Sequence, residues 1–218
     1  MEQGHTIGQI RDRLFTAVLS DILDAVGRPG QVADIDLQAI GDGTPIVGWA
    51  QTARAVAVNQ APAEPYAQLL RAIDGTKPGT VLVLEMPPSS TSAIFGGLLA
   101  TAVQVAGGEG VVVDGYVRDV REIRSIGLPT SARGFRPLDS FGRDEVVSVS
   151  EPVSIGGVLV RQGDLVFGDE DGLLFVPADI AKDVVERAFD KVQGESHVRS
   201  ALKEGLTATE AFATYGVL

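Results

Sequence analysis

The 218-residue sequence contains no cysteine, which removes disulfides, thiolate nucleophiles and thiolate metal ligands together. Histidine is nearly as scarce. His5 and His197 are the only two, far apart and without a neighbouring catalytic motif, so neither a histidine-rich metal site nor a Ser-His-Asp triad is expected. Lysine numbers four against fourteen arginines, no basic run occurs, and the net charge is −11. That balance argues against a nucleic-acid surface, because phosphate contacts need clustered cations. No apolar run approaches the roughly 18–20 residues that would span a bilayer, and the first residues show no charged-then-apolar signal pattern. The expectation is a cytoplasmic protein with neither membrane nor nucleic-acid partner. The patterns GxxxxGK[ST] and GxGxxG are missing in the context they require, which disfavours nucleotide binding. With sulfur and imidazole gone, any metal would be a hard, oxygen-seeking ion such as Mg²⁺ or Mn²⁺.

What is present is ample material for a core: 44% of the residues are hydrophobic, and the length suits one domain. Residues 7–27 read as one amphipathic helix, with Phe15, Val18, Leu19, Ile22, Leu23 and Val26 on a single face and Gly27 as its stop. Residues 41–48 look like a loop and 52–59 like a strand. A short helix over 66–73 and a turn over 74–79 lead to 80–85, whose unbroken apolar centre suits a strand covered on both faces. A run of short strands is expected over 130–134, 145–149, 153–155, 158–160, 165–167 and 173–176, with Gly156-Gly157 as a two-residue hairpin turn. Two helical stretches, 178–192 and 195–203, follow Pro177, and a capping box over residues 207–210 starts a last helix that ends at Gly216. The pattern predicts a layered α/β domain with a β-rich layer and a helical C-terminal tail.

The chain is organised around residues 95–119, FGGLLATAVQVAGGEGVVVDGYVRD. Gly96-Gly97 opens a helix, where backbone N–H groups and the helix dipole can receive an anion; a tight loop or close packing would use the same pair. Arg118 offers a planar fork to a carboxylate and Asp119 a hard oxygen to a divalent cation. Equally, Asp119 could be a helix N-terminal charge and Arg118 a surface residue. Asp114, before Gly115, reads as a turn residue, and Asp169, Glu170 and Asp171 as a solvated turn.

The segments FGGLLATA, GVVVDGYVRDVREI, SIGLPTSARG and VLVRQGDLVFGDEDGLLFVP, in that order, resemble the RraA-like family from about residue 16 to the C-terminus. Its enzyme members are aldolases of 4-hydroxy-4-methyl-2-oxoglutarate or 4-carboxy-4-hydroxy-2-oxoadipate that also decarboxylate oxaloacetate. The resemblance implies a swivelling β/β/α domain spanning residues 1–218, with 178–218 a tail that packs on a neighbouring subunit of a homotrimer or homohexamer. It implies that Arg118 holds the substrate and the developing enolate, and that Asp119 ligates Mg²⁺ or Mn²⁺. Backbone N–H groups around Gly96, Gly97 and Leu98 would bind the carboxylate of a small 2-oxo acid, and Glu195 of an adjacent subunit would hold the metal's waters. No Schiff-base lysine is needed, although sequence alone leaves Lys77 available. One departure stands out: many aldolases of the family carry an acid where this chain has Gly97. Because aldol cleavage needs a base for the substrate hydroxyl and decarboxylation does not, the expected emphasis is decarboxylation. The alternative is a non-catalytic regulator like the ribonuclease-inhibiting branch. In that branch the residue after the arginine is typically not Asp, so the intact Arg118-Asp119 pair favours an enzyme.

Overall fold

The computed structural model describes residues 5–216; the ends of the expected 1–218 domain lie outside them. Helices α1 (Ile7–Arg13) and α2 (Thr16–Ala25) come first, then strands β1 (Gln38–Ile40) and β2 (Ile46–Ala57). Helix α3 (Ala67–Asp74) leads to β3 (Thr80–Glu85) and β4 (Ala93–Phe95), and α4 (Gly97–Val105) leads to β5 (Gly110–Val117). Helix α5 (Val120–Ile126) precedes six strands: β6 (Thr130–Phe135), β7 (Asp144–Val149), β8 (Val153–Ile155), β9 (Val158–Val160), β10 (Leu165–Asp169) and β11 (Gly172–Val176). Helices α6 (Ala181–Lys203) and α7 (Ala208–Tyr215) complete the described chain.

Nine strands form one mixed sheet in the order β1-β6-β5-β3-β2-β10-β11, with β4 beside β5 and β7 beside β2. The centre is parallel, with β3 between β2 and β5, whereas β10 and β11 add antiparallel strands at one edge. Strand β3 shows why its sequence is apolar throughout. Leu82 and Leu84 face a core shared with Leu69, Ile73, Val103 and Ile123 of the helices. Val81 and Val83 face the opposite core, closed by Val153, Ile155, Val158 and Val160 of the β8–β9 hairpin. Alternate residues of one strand thus serve two layers. Gly156 and Gly157 both take positive φ, 52° and 83°, as a two-residue hairpin turn of this twist demands. A third core joins α1, α2 and the first half of α6 through Leu19, Leu23, Val184 and Ala188. The result is the expected layered α/β architecture: helices, sheet and a β-hairpin layer.

Five local expectations are corrected. The helix over 7–27 is two helices, broken at Leu14 and Phe15, because the Asp169 carboxylate accepts from both the Thr16 amide (2.8 Å) and its hydroxyl (2.6 Å) and so fixes the start of α2. Asp169 is therefore a cap reached from the β10–β11 turn, not a solvated residue. The loop over 41–48 ends earlier, since β2 begins at Ile46. The turn expected at residues 114–116 is strand: β5 continues to Val117, and Gly115 is needed because a Cβ there would sit 2.5 Å from Met86 Cγ. Finally, the two stretches over 178–203 are a single 23-residue helix that runs through Gly194. Residues 181–189 of that helix belong to this chain's own core. The capping box at Thr207 and Glu210 forms as read, with Thr207 Oγ1 accepting from the Glu210 amide.

Candidate active site

Parallel strands β4 and β5 end side by side, and the two ends of the central stretch meet there. The Arg118 amide donates to the Phe95 carbonyl at 2.9 Å, which sets residues 118–119 against the start of α4. Asp119 then adopts a left-handed backbone, φ 57° and ψ 37°, as the residue before α5. Its side chain does not cap its own helix. It reaches across instead to accept from the Gly97 amide at the N-terminus of α4 (3.1 Å), where the helix dipole favours an anion.

The glycine pair permits this approach. A Cβ on Gly96 would lie 2.7 Å from Asp119 Oδ2 and 3.0 Å from Arg118 Cγ, and a Cβ on Gly97 would collide with the Glu122 carboxylate. Gly96 has φ −153°, an ordinary extended conformation, so it is close packing that excludes a side chain here. Glu122, in the first turn of α5, occupies the space that a side chain on residue 97 would take.

Arg118 and Asp119 approach each other at 3.7 Å, but the closer partner of the guanidinium is Asp139, at 3.0 Å between Nη1 and Oδ2. The other oxygen of Asp139 accepts from the Tyr66 hydroxyl (2.7 Å) and the Phe141 amide (2.6 Å). Burial draws the Asp139 carboxyl upward. The Phe141 amide and Tyr66 hydroxyl, helped by Arg118 and Arg143, outweigh that and hold it below the usual range. Tyr66 is pushed up to about 12, by burial first and then by its bond to Asp139, so at neutral pH it is a standing proton donor in that bond. Among the described residues only Tyr66, Asp119 and Ser150 combine a side chain with positive φ, and two of those three stand in this site. Such backbone strain costs roughly 1–3 kcal/mol each and collects where geometry matters for function.

Tyr66, Arg118, Asp119 and Asp139 line a cavity of about 240 Å³ whose remaining wall is mostly apolar, including Leu69, Ile94, Leu98 and Leu99. Its size, with Arg118 and the α4 N-terminus on its wall, would suit a small molecule carrying one anionic end. Of the residues singled out by sequence, Gly96, Leu98, Arg118 and Asp119 line the cavity, and Gly97 lies directly behind Asp119. The Gly97 amide is engaged by Asp119, which leaves the Leu98 and Leu99 amides, also without an intrahelical acceptor in the first turn, for a ligand. Glu195 is elsewhere in this chain, midway along α6 and 3.9 Å from Lys191. Asp114 is also outside: it is buried in β5, paired with Arg133, and accepts from the Gly156 amide at 3.4 Å. Lys77 is exposed in the turn between α3 and β3, away from the cavity lining.

Among the described residues no group of three or more His, Cys, Asp or Glu is assembled to hold a metal. The donor that the cavity offers is Asp119, whose Oδ1 has no partner among those residues while Oδ2 is fixed by Gly97. One carboxylate oxygen beside open space suits an ion that keeps most of its waters, as Mg²⁺ does, and does not suit a closed protein cage. The site therefore fits Mg²⁺ or Mn²⁺ held chiefly by Asp119.

Sequence reasoning missed Tyr66, Asp139 and Glu122. Asp139 left only the faint signal of an Asp two residues before an amide it caps, an Asx turn in LDSFGRD.

A profile of the RraA-like family, described as Aldolase/RraA, matches residues 16–175. A Halalkalibacterium halodurans protein named "Putative 4-hydroxy-4-methyl-2-oxoglutarate aldolase" is 26% identical over 197 residues, covering 90% of this chain and 89% of that protein. Other curated relatives are matched over only about half of their length. Among solved structures, an uncharacterized protein from Pseudomonas syringae pv. tomato superposes with a TM-score of 0.79 at 28% identity, covering 92% of this chain and 93% of that one. Streptomyces coelicolor RraAS2, described as an unusual member of the RNase ES inhibitor RraA protein family, superposes with a TM-score of 0.77 at 28% identity, covering 90% and 98%.

Proposed function

Because the chain belongs to the RraA-like family, we propose that it is a divalent-metal-dependent lyase that cleaves small 2-oxo acids by way of a pyruvate enolate. The observation that carries this reading is the strained Asp119, held across the α4 N-terminus beside Arg118 in one small cavity. The aldolase name of the Halalkalibacterium relative supports it.

The first turn of α4 receives the substrate carboxylate through the Leu98 and Leu99 amides. Arg118 presents its fork to the keto oxygen, where negative charge grows as the carbon–carbon bond breaks. Bound Mg²⁺ or Mn²⁺ at Asp119 would supply Lewis-acid stabilisation of that same charge. In oxaloacetate the C3–C4 bond breaks, its electron pair enters the enolate, CO₂ leaves, and a proton taken up at C3 yields pyruvate. In 4-hydroxy-4-methyl-2-oxoglutarate the equivalent bond breaks only as the C4 hydroxyl gives up its proton, so a base is required. Gly97 offers none. The same reading has the helical end of the chain, with Phe212 and Tyr215 exposed on α7, pack on a neighbouring subunit of a trimer or hexamer and bring Glu195 to that subunit's metal waters.

The test is one assay on two substrates with Mg²⁺ present. The wild type decarboxylates oxaloacetate faster than it cleaves 4-hydroxy-4-methyl-2-oxoglutarate, and Arg118→Ala loses both activities while its circular dichroism is unchanged. The reverse substrate order would overturn the ranking and point to Glu122 as the carboxylate placed to serve as base. Arg118→Ala with full activity would overturn the assignment of the site. The likeness to RraAS2 supports a second reading, a regulator that binds a protein partner, and that reading predicts no turnover of either substrate.

A further inference from the structure

We propose that Asp139 and Tyr66 are positioning residues which aim the Arg118 guanidinium at the bound acid, Asp139 by direct contact and Tyr66 only through Asp139. This rests on the reading that Arg118 is the group that holds the 2-oxo acid.

Arginine has a long side chain with many rotamers, and a fork recognises a planar anion only when its plane is fixed. At its Nη1 end Arg118 is tied to Asp139 Oδ2 at 3.0 Å. Asp139 is in turn immobilised from the other side, since its Oδ1 accepts from both Tyr66 and Phe141. With both oxygens committed, Asp139 is not free to take a substrate proton. Tyr66 reaches it from 73 residues away in sequence. It does so from a left-handed backbone, φ 64° and ψ 5°, just before α3, and its own side chain makes no capping bond to that helix. The tilted Phe141 ring, 6.0 Å away, braces the Tyr66 ring. Three separate segments of chain thus converge on one guanidinium: the α3 start, the β5–α5 junction and the loop between β6 and β7. A hydroxyl held in strained backbone, protonated at neutral pH and spent on an already paired carboxylate, makes sense as a device for orientation.

Charge and aim make opposite predictions here. Asp139 is an anion beside the anion-binding group, so by charge alone its neutralisation would tighten the hold on an anion. If Asp139 acts by aiming Arg118, its neutralisation loosens that hold. The experiment titrates oxalate, a planar unreactive dicarboxylate, into the full-length protein with Mg²⁺ by calorimetry, for wild type, Tyr66→Phe, Asp139→Asn and the double variant. Thermal unfolding and the arginine Nε–Hε NMR signals are recorded alongside, with the Arg118 signal assigned by its loss in Arg118→Ala. Oxalate is expected to bind roughly tenfold more weakly to Asp139→Asn, the scale of one hydrogen bond to a charged group. Tyr66→Phe is expected to lose about threefold, and the double variant no more than Asp139→Asn alone. The Arg118 signal broadens in both single variants, while the Tyr66→Phe melting temperature stays within a few degrees of wild type. Unchanged or tighter oxalate binding in the single variants, or losses that add, would overturn the proposal. Should Asp139→Asn fail to fold, Tyr66→Phe decides alone. A wild type that binds no oxalate overturns the underlying reading of Arg118 instead. The positioning claim is then decided by the Arg118 signal: broadened in the variants it stands, unchanged it falls.

Discussion

Gly96 and Gly97 look alike in sequence, yet they meet different neighbours and should tolerate change differently. A methyl group on Gly96 runs into the Asp119 carboxylate and the stem of Arg118, whereas one on Gly97 meets the exposed Glu122 side chain from Cγ outward, which can swing into solvent. Gly96→Ala should therefore weaken Mn²⁺ binding by about tenfold or more, because pushing Oδ2 off the Gly97 amide turns the whole carboxylate and carries Oδ1, the oxygen open to the ion, out of place. Gly97→Ala should leave both Mn²⁺ affinity and stability nearly unchanged, within about 1 kcal/mol. Calorimetric Mn²⁺ titration and thermal unfolding of the two variants check this, and equal loss in both would contradict the packing described. At this scale the Arg118-Asp119 pair and the glycine pair were legible in the sequence because each is local: two adjacent residues at the end of a strand, two at the start of a helix. Tyr66 and Asp139 were not. Each sits in an unremarkable polar or turn-rich segment, and only the fold brings them to Arg118.

Elements whose pattern is decided by their own residues were read well. The unbroken apolar run of β3, the Gly156-Gly157 hairpin and the Thr207–Glu210 capping box all depend on neighbours within a few positions. The misreadings share a cause, a distant partner. Thr16 is capped by Asp169, 153 residues on, so the break between α1 and α2 left no local mark. Asp114-Gly115 resembles a turn but is strand, since Met86 and Arg133 supply the contacts that a glycine and an aspartate need there. The two stretches read from the sequence left residues 193–194 between them, and α6 runs through both. A Cβ at Gly194 would meet nothing within 4 Å, and its backbone is not left-handed. Gly194→Ala should thus raise stability by about 0.5–1 kcal/mol, or roughly 1–4 °C in melting temperature for a chain this size. A scanning calorimetry trace showing a lower midpoint would mean that α6 does not run unbroken through residue 194.

For the molecule as a whole, the layers divide the work. The hairpin and the first half of α6 bury the outer face and edge of the sheet, while α3, α4 and α5 cover the face on which the cavity opens. Parallel strands β4 and β5 deliver the site at their C-terminal ends, the usual place for ligands in such sheets. Leu98, at the cavity's edge, is 83% exposed. The central claim is that Asp119 brings a divalent ion to a 2-oxo acid, and oxaloacetate consumption with and without EDTA, in wild type and Asp119→Ala, tests it most directly. The account predicts that EDTA abolishes wild-type turnover, that Mg²⁺ or Mn²⁺ restores it, and that Asp119→Ala is inactive at any metal concentration. Turnover that survives EDTA, or an Asp119→Ala protein as active as wild type, would contradict it.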